Sequence, residues 1–231
     1  MKGVDHVPRV KELGRSKADL LITFSGDGTI LKLLRLLDST IPCLCVNVGG
    51  RGILAEIKPD QIDTAIEKMV KGDFHVEQRL RISPRVDGKK LPPALNEVLL
   101  IRKSFVKAPK FVISLGKNTS FSQRMDGLMI TTPTGSTGHS YSYGSLFAEG
   151  TLNIFILMPL APILRFPGMI LPPAKVGVRA NYALQLVIDG QHTHGVQPGV
   201  TCSFEKHEKS AAFVRFDKSG PYRQLKNMGF T

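Results

Sequence analysis

The run Leu20-Leu21-Ile22-Thr23-Phe24 passes directly into Ser25-Gly26-Asp27-Gly28-Thr29, and this junction constrains the chain more than any other stretch. The first five residues read as an apolar strand, and Ile30-Leu31-Lys32-Leu33-Leu34-Arg35-Leu36-Leu37 places apolar residues at helical spacing. The turn therefore sits at the carboxyl end of a strand and opens a helix. Glycines at such a place let backbone N–H groups approach an anion, and the helix N-terminus adds partial positive charge. Asp27 is the odd member, because a carboxylate repels phosphate unless it accepts a proton from a nucleophile or positions a metal ion. Taken alone, the turn serves equally well as a tight bend whose Asp or Thr caps the next helix. It lacks the Lys of a GxxxxGK(S/T) phosphate loop and the third glycine of GxGxxG, so neither a standard nucleoside triphosphatase loop nor a standard dinucleotide fold is indicated.

A chain of 231 residues with 42% hydrophobic and 22% charged content describes an ordinary globular protein of one or two domains. Thirty-one Lys and Arg against 19 Asp and Glu give a net charge of +12, which favours polyanionic partners. The basic residues are scattered, with short clusters such as Arg102-Lys103, and zinc-finger spacing and RNA-binding signatures are missing, so nucleic acid ranks low. Cys43, Cys45 and Cys202 form no CxxC pair and no complete disulfide framework, which fits reduced thiols packed in a core and a cytoplasmic setting. Met1 to Lys17 is polar and no apolar span is long enough for a bilayer, so neither export nor a membrane is expected.

From Asp19 to Gly72 strand and helix alternate: Leu20 to Phe24, the helix after Gly28, a strand at Pro42 to Val48, and a helix at Pro59 to Lys71. Pro59 starts that second helix, with Asp60 and Asp63 in its first turn where negative charge suits the dipole. This half reads as α/β with a parallel sheet, Rossmann-like but trimmed. Asn47-Val48-Gly49-Gly50-Arg51-Gly52 is a second glycine-rich loop at a strand's carboxyl end, and both loops should line the rim where open α/β sheets bind ligands.

After Gly72 the period changes. Strands are expected at Phe74 to Val86, Ala94 to Arg102, Lys110 to Leu115, Gly127 to Thr131, Tyr182 to Ile188 and Ala211 to Phe216, with a hairpin turn at Asp87-Gly88. The five prolines from Pro159 to Pro173 suit an irregular connection, and Tyr222 to Met228 a short helix. The expected division is an α/β domain over residues 1–72, a strand-rich domain over 73–217, and a terminal segment, 218–231, packing back on the first.

A second constellation repeats the design of the first. Asp126-Gly127-Leu128-Met129-Ile130-Thr131 runs into Thr132-Pro133-Thr134-Gly135-Ser136-Thr137-Gly138, an apolar strand entering a turn rich in glycine and hydroxyls, then a helix through Tyr143. Pro133 holds Thr132 extended, and Thr134, Ser136 and Thr137 offer hydroxyls to a polar ligand, although any one of them could be a helix cap. Asn96-Glu97 adds a paired amide and carboxyl; on a regular strand the two would face opposite sides, so both reach one ligand only if the chain bends there. The alternative leaves Asn96 in a turn and Glu97 on a solvated face.

In order and spacing, Ser25-Gly26-Asp27-Gly28-Thr29, Asn47 through Leu54, Asn96-Glu97 and Asp126 through Thr137 resemble the ATP-dependent NAD kinase family, of prokaryotic type. Pro159-Leu160-Ala161-Pro162 and Asp189-Gly190-Gln191 are similar to its later segments, so the resemblance runs from Asp19 onward. It implies transfer of a phosphoryl group from ATP with Mg²⁺, or from polyphosphate, to the adenosine ribose 2′-hydroxyl of NAD, giving NADP. By that resemblance Asp27 is the base or positioning carboxylate, and Gly26, Gly28 and Thr29 form the phosphate turn. Asn96 and Glu97 hold the ribose. Thr134, Thr137, Gly138, His139 and Ser142 line the adenine and ribose pocket. Asp126 contacts the dinucleotide, across a subunit boundary in a homodimer or homotetramer, and the two constellations become walls of one cleft. Which groups hold the Mg²⁺ is left open.

The chain departs from the family pattern in places. Ser25 replaces the first glycine of GGDGT, Arg51 a leucine, Gly138-His139 an Ala-Tyr pair, and Pro162-Ile163-Leu164 a Pro-His-Ser segment. His139 either stacks in place of the tyrosine or faces solvent. Only Met1 to Asp19 precede the first strand, where the family opens with a further strand and helix. These departures leave two alternatives standing beside the kinase: an NAD-binding sensor impaired in catalysis, and a lipid kinase of the diacylglycerol type, which shares the GDGT turn.

Overall fold

The computed structural model describes residues 18–37, 40–50, 52–116 and 118–216. Arg51, the first 17 residues and the terminal segment expected to form a helix at 222–228 lie outside the described residues. The chain divides into two compact units, one running to Arg79 and resuming at Lys209, the other spanning Leu80–Glu208.

In the first unit, β1 (Leu21–Ser25) leads into α1 (Asp27–Leu36) across a single extended residue, Gly26, which is the N-cap. Ile30, Leu31 and Leu34 form the buried stripe of α1, the helical spacing seen in the sequence. Next come β2 (Cys43–Asn47) and α2 (Ile62–Val70). A 3₁₀ turn at Pro59–Gln61 precedes α2, tightened by the Lys58 N–H donating to Gln61 Oε1 at 2.9 Å. Then β3 (His75–Arg79) and, after the second unit, β16 (Ala211–Arg215) complete a sheet of order β1-β2-β16-β3. Leu44 and Val214 pack with Ala65 of α2 on one face.

Two expectations are corrected here. The sheet is mixed: β1, β2 and β16 are parallel neighbours, but β3 runs antiparallel to β16. The boundary also falls at Arg79, because β3 and β16 pair over five residues and so draw 75–79 and 211–215 into the α/β unit rather than the strand-rich one.

The second unit is a pair of antiparallel sheets. One contains β4 (Ile82–Val86), β5 (Lys89–Lys90), β7 (Lys110–Leu115), β8 (Thr119–Arg124), β12 (Val176–Ala180) and β15 (Cys202–Lys206), in the order β5-β4-β15-β12-β7-β8. The other contains β6 (Glu97–Arg102), β9 (Gly127–Thr131), β10 (Phe155–Leu160), β11 (Met169–Leu171), β13 (Leu184–Ile188) and β14 (His192–Val196), in the order β11-β10-β9-β6-β13-β14. Phe111, Ile113, Val178 and Phe204 from the first sheet meet Val98, Leu100, Ile130 and Leu186 from the second in one apolar core. The other face of β6, β9 and β10 is buried too, where Leu99, Met129, Ile156 and Met158 form a second apolar cluster, so these strands are apolar on both sides. The Asp87-Gly88 hairpin forms as expected, both residues having positive φ, as a two-residue primed turn requires. The expected strand at 74–86 is instead two strands in different sheets, and the proline-rich stretch begins inside β10 and contains β11, which pairs back on residues 155–157.

The three cysteines are free and buried, with Cys45 and Cys43 on one face of β2, sulfur to sulfur at 3.6 Å. Among the described residues no helix is long and apolar enough to cross a membrane.

Candidate active site

Gly26 opens α1 with an extended backbone, and its carbonyl accepts the N–H groups of Thr29 at 3.0 Å and Ile30 at 3.2 Å. Gly28 and Thr29 lie exposed on the first turn. Asp27 is the first helical residue, and its side chain caps nothing in its own helix. Its Oδ2 accepts the Ile53 N–H at 2.9 Å and its Oδ1 the Leu54 N–H at 3.0 Å. The capping alternative is thereby replaced: the first glycine turn supplies the carboxylate and the second glycine loop supplies its clamp.

The two loops meet backbone against backbone. A Cβ on Gly49 would stand 3.2 Å from the Gly26 Cα, closer than side chains ordinarily approach. Asn47 shapes the second loop, its Oδ1 accepting the Gly49 N–H at 3.0 Å and its Nδ2 donating to the Gly50 carbonyl at 3.2 Å. Ser25, in place of the family's glycine, is buried, and its hydroxyl lies 3.0 Å from that of Thr23.

In the second unit the bend at Asn96-Glu97 is present and its cause is Asp189. That carboxylate accepts the backbone N–H groups of Leu95 at 3.2 Å, Asn96 at 2.8 Å and Glu97 at 3.3 Å. The Asn96 carbonyl accepts from Thr132 N at 2.8 Å and from Thr131 Oγ1 at 3.0 Å, and the Leu95 carbonyl from Thr132 Oγ1 at 2.6 Å. These bonds press the start of β6 against the 3₁₀ turn Thr134–Thr137 so closely that a Cβ on Gly135 would lie 2.3 Å from the Asn96 carbonyl. Asn96 Nδ2 points toward Gly138, 3.1 Å from where its Cβ would be.

Glu97 is 3% exposed, not on a solvated face. Burial, with the Asp189 carboxylate beside it, pushes its carboxyl up to about 8, so it carries its proton at neutral pH. Among the described residues, three buried side-chain oxygens here have no partner: Asn96 Oδ1, Glu97 Oε2 and Thr134 Oγ1.

The remaining expected residues fare differently. Thr137 Oγ1 donates to the Thr134 carbonyl at 3.2 Å, and Ser136 Oγ donates to the Pro133 carbonyl at 2.7 Å while accepting the Ala148 N–H at 3.0 Å. Of the three hydroxyls in this turn, only that of Thr134 is left over, because a 3₁₀ turn brings i−3 carbonyls within reach of the others. His139 and Ser142 are exposed on the short helix α3 (His139–Ser142), with the His139 ring 5.1 Å from that of Tyr143. Asp126 pairs with Arg102 at 2.9 Å, and the Arg102 guanidinium lies 4.7 Å from the Phe105 ring.

Sequence reasoning missed the functional groups that act through backbone or from a distance. The N–H pair at Ile53 and Leu54 leaves no side-chain signature, and the Thr132 hydroxyl is spent on tying two strands. Among the described residues no group of three or more His, Cys, Asp or Glu could hold a metal ion.

The chain matches the family model of the ATP-NAD kinase N-terminal domain over residues 4–74 and that of the C-terminal domain over residues 95–216. The NAD kinase of Pyrococcus abyssi is 30% identical, covering 93% of this chain and 81% of that protein. The NAD kinase of Methanothermobacter thermautotrophicus is 31% identical, covering 98% and 83%. Among solved structures, an NAD kinase from Archaeoglobus fulgidus in complex with ATP superposes with a TM-score of 0.80 at 28% identity, covering 95% of this chain and 84% of that one. Yeast NADH kinase complexed with NADH has a TM-score of 0.85 at 19% identity, which speaks to the fold alone. Both domain models matched in order along one chain, with relatives alike over most of their length, mean that this chain belongs to the NAD kinase family.

Proposed function

We propose a division of labour between the two units in the phosphorylation of NAD to NADP by ATP. In the first unit, Gly26, Gly28 and Thr29 receive phosphate at the start of α1, where helix N–H groups and dipole favour an anion. Asp27, held by two N–H donors, orients the adenosine ribose 2′-hydroxyl and takes its proton. In the second unit Asn96, Glu97 and Thr134 bind the NAD ribose and adenine, with Thr137, Gly138, His139 and Ser142 around the base and Asp126 further along the dinucleotide.

One observation carries this reading: among the described residues the buried side-chain oxygens without a partner, Asn96 Oδ1, Glu97 Oε2 and Thr134 Oγ1, belong to residues that the family resemblance assigned to NAD. Each leaves about 1–3 kcal/mol of desolvation cost unreturned unless a ligand or water supplies its hydrogen bond. The neutral Glu97 carboxyl can donate as well as accept, which suits a ribose hydroxyl.

Mg²⁺ would arrive with ATP, held largely by its phosphates, since such sites commonly use few protein carboxylates. Asp27, with one lone-pair direction of each oxygen taken by an N–H, is the carboxylate nearest to such a role in the phosphate turn. Charge neutralisation of the transferring group is the chemistry the ion supplies. Polyphosphate as a donor, a homodimer or homotetramer, and a cytoplasmic setting for the three free thiols complete the proposal.

The test is to incubate the protein with NAD, ATP and Mg²⁺ and to assay NADP, with polyphosphate as a second donor. Asp27→Asn should lower the rate about a hundred- to ten-thousandfold, the usual worth of a positioned base. Unchanged turnover in that variant sinks the role of Asp27. Binding of NAD without NADP from either donor sinks the kinase and leaves the sensor. The matched family argues against the lipid kinase, because both domain models name NAD kinases.

A further inference from the structure

The clamp on Asp27 is held from behind, at Leu54, by one side chain. Arg215, 5% exposed on β16, donates from Nη1 to the Leu54 carbonyl at 3.2 Å and to Glu56 Oε2 at 3.1 Å, and from Nε to Glu77 Oε1 at 2.9 Å. Its guanidinium lies 4.9 Å from the Phe213 ring. Glu56 fastens the other way: its Oε1 accepts the Phe216 N–H at 2.9 Å, and its backbone N–H donates to the Cys45 carbonyl at 2.8 Å. Arg79 Nε donates to the same Glu77 oxygen at 2.8 Å.

From this geometry we infer that Arg215 is a positioning residue for Asp27. The statement rests on Asp27 being the group that takes the ribose hydroxyl proton. Asp27 sits at the start of a helix, so its backbone is fixed, but its carboxylate is aimed by the N–H groups of Ile53 and Leu54. Those groups follow a loop containing Gly49, Gly50 and Gly52, whose backbone restricts itself little. The clamp is therefore as well placed as its anchors, and Arg215 is the anchor on Leu54 itself.

Stability alone does not account for a buried Arg at this point. Buried ion pairs recover little more than their desolvation cost, and apolar side chains of similar volume often do as well. What Arg supplies is direction: a rigid planar fork reaching a carbonyl and two carboxylates at once. A compact ammonium keeps the charge and loses the fork. Misplacement of a reacting group by about 1 Å costs on the order of a hundredfold in rate.

The experiment compares wild type, Arg215→Lys, Glu56→Gln, Asp27→Asn and the double variant Arg215→Lys with Asp27→Asn. Steady-state kinetics with NAD and ATP are read beside melting temperature and calorimetric NAD affinity, with each assay run well below the melting temperature of its variant. Arg215→Lys should lower kcat about tenfold or more while the NAD Kd stays within about twofold, because NAD is held by other residues. Glu56→Gln, which keeps the shape and one acceptor, should lower kcat in the same direction by a smaller factor, and it carries the test if the lysine variant does not fold. In the Asp27→Asn background the Arg215→Lys loss should disappear, since a residue that acts through Asp27 has nothing left to aim. Wild-type kcat in either folded single variant, or an equal loss in both backgrounds, overturns the role of Arg215. Wild-type kcat in Asp27→Asn overturns the role of Asp27 instead.

Discussion

Asp189 accepts the backbone N–H of Asn96 at 2.8 Å although 93 positions separate them in the chain. The same carboxylate takes the N–H groups of Leu95 and Glu97, so one side chain fixes the bend at Leu95 and Asn96 and the first residue of β6. Asp189→Ala leaves all three donors without that acceptor, at a cost of about 3 kcal/mol. Asp189→Asn retains one carbonyl oxygen and should lose less. Denaturant unfolding measures the first effect, and calorimetry should show NAD affinity falling with it as the bend relaxes. An Asp189→Ala variant as stable as wild type refutes the account.

Glu97 gives a pH dependence whose sign is fixed. Its carboxyl is raised to about 8 in the fold, so the folded chain keeps a proton that the unfolded chain loses from about pH 4.5 upward. The favourable contribution is complete below that range and is lost as pH rises through 8. Glu97→Gln has no proton to lose, so its melting-temperature advantage over wild type should grow from pH 5 to pH 9, at about 2–4 °C per kcal/mol in a chain of this size. NAD affinity of wild type should weaken above pH 8, where the carboxyl becomes charged near a phosphorylated ligand, and the Gln variant should show no such fall. An advantage that is constant with pH counts against a buried neutral acid.

Gly135 and Gly50 form a matched pair for a steric test. A Cβ on Gly135 would lie 2.3 Å from the Asn96 carbonyl oxygen and from Thr131 Oγ1, whereas one on Gly50 meets nothing within 4 Å. Gly135→Ala should cost about 1–3 kcal/mol and weaken NAD binding about tenfold or more. Gly50→Ala should stay within about 0.5 kcal/mol of wild type. Equal effects at the two positions, measured by thermal unfolding, would contradict the close approach of β6 to the 3₁₀ turn.

Glu77 sets part of the acid limit. Burial works to raise its carboxyl, but the guanidiniums of Arg215 and Arg79 outweigh that and hold it below the usual carboxylate range. A depressed carboxyl contributes stability above its unfolded value of about 4.5, lost as pH falls through the folded one. Glu77→Gln should therefore be less stable than wild type at pH 7 and nearly equal to it near pH 2, in urea unfolding followed across pH. A gap that persists undiminished at pH 2 assigns the loss to packing.

The elements near the phosphate turn were legible because period, glycine stops and Pro59 agreed with one another, and α1 and β2 fall within a residue or two of expectation. The strands left unread share physical reasons. Thr119–Arg124 and His192–Val196 are polar edge strands, so they carry no apolar run. Phe155–Leu160 contains Pro159, which ordinarily speaks against a strand bonded on both sides, and β10 admits it because β11 pairs only with residues 155–157, leaving Pro159 paired with β9 alone. In the candidate site, Asp27, Asn96 and Glu97 stand out through the family resemblance, whereas their residue types alone leave a helix cap and a solvated face open. Their supports do not stand out: Ile53 and Leu54 act through N–H groups that nearly every residue carries, and Asp189 reads as an ordinary turn aspartate until its three bonds are seen.

The pairing of β16 with β2 on one side and β3 on the other has a consequence for the order of events at the ribosome. Residues 80–208 emerge as a self-contained pair of sheets before Ala211–Arg215 has been made. Until then β2 and β3 lack the strand that stands between them, and the clamp on Asp27 lacks its arginine. Asp27 is made before that pair of sheets, yet its carboxylate acquires its final setting only once β16 has followed them.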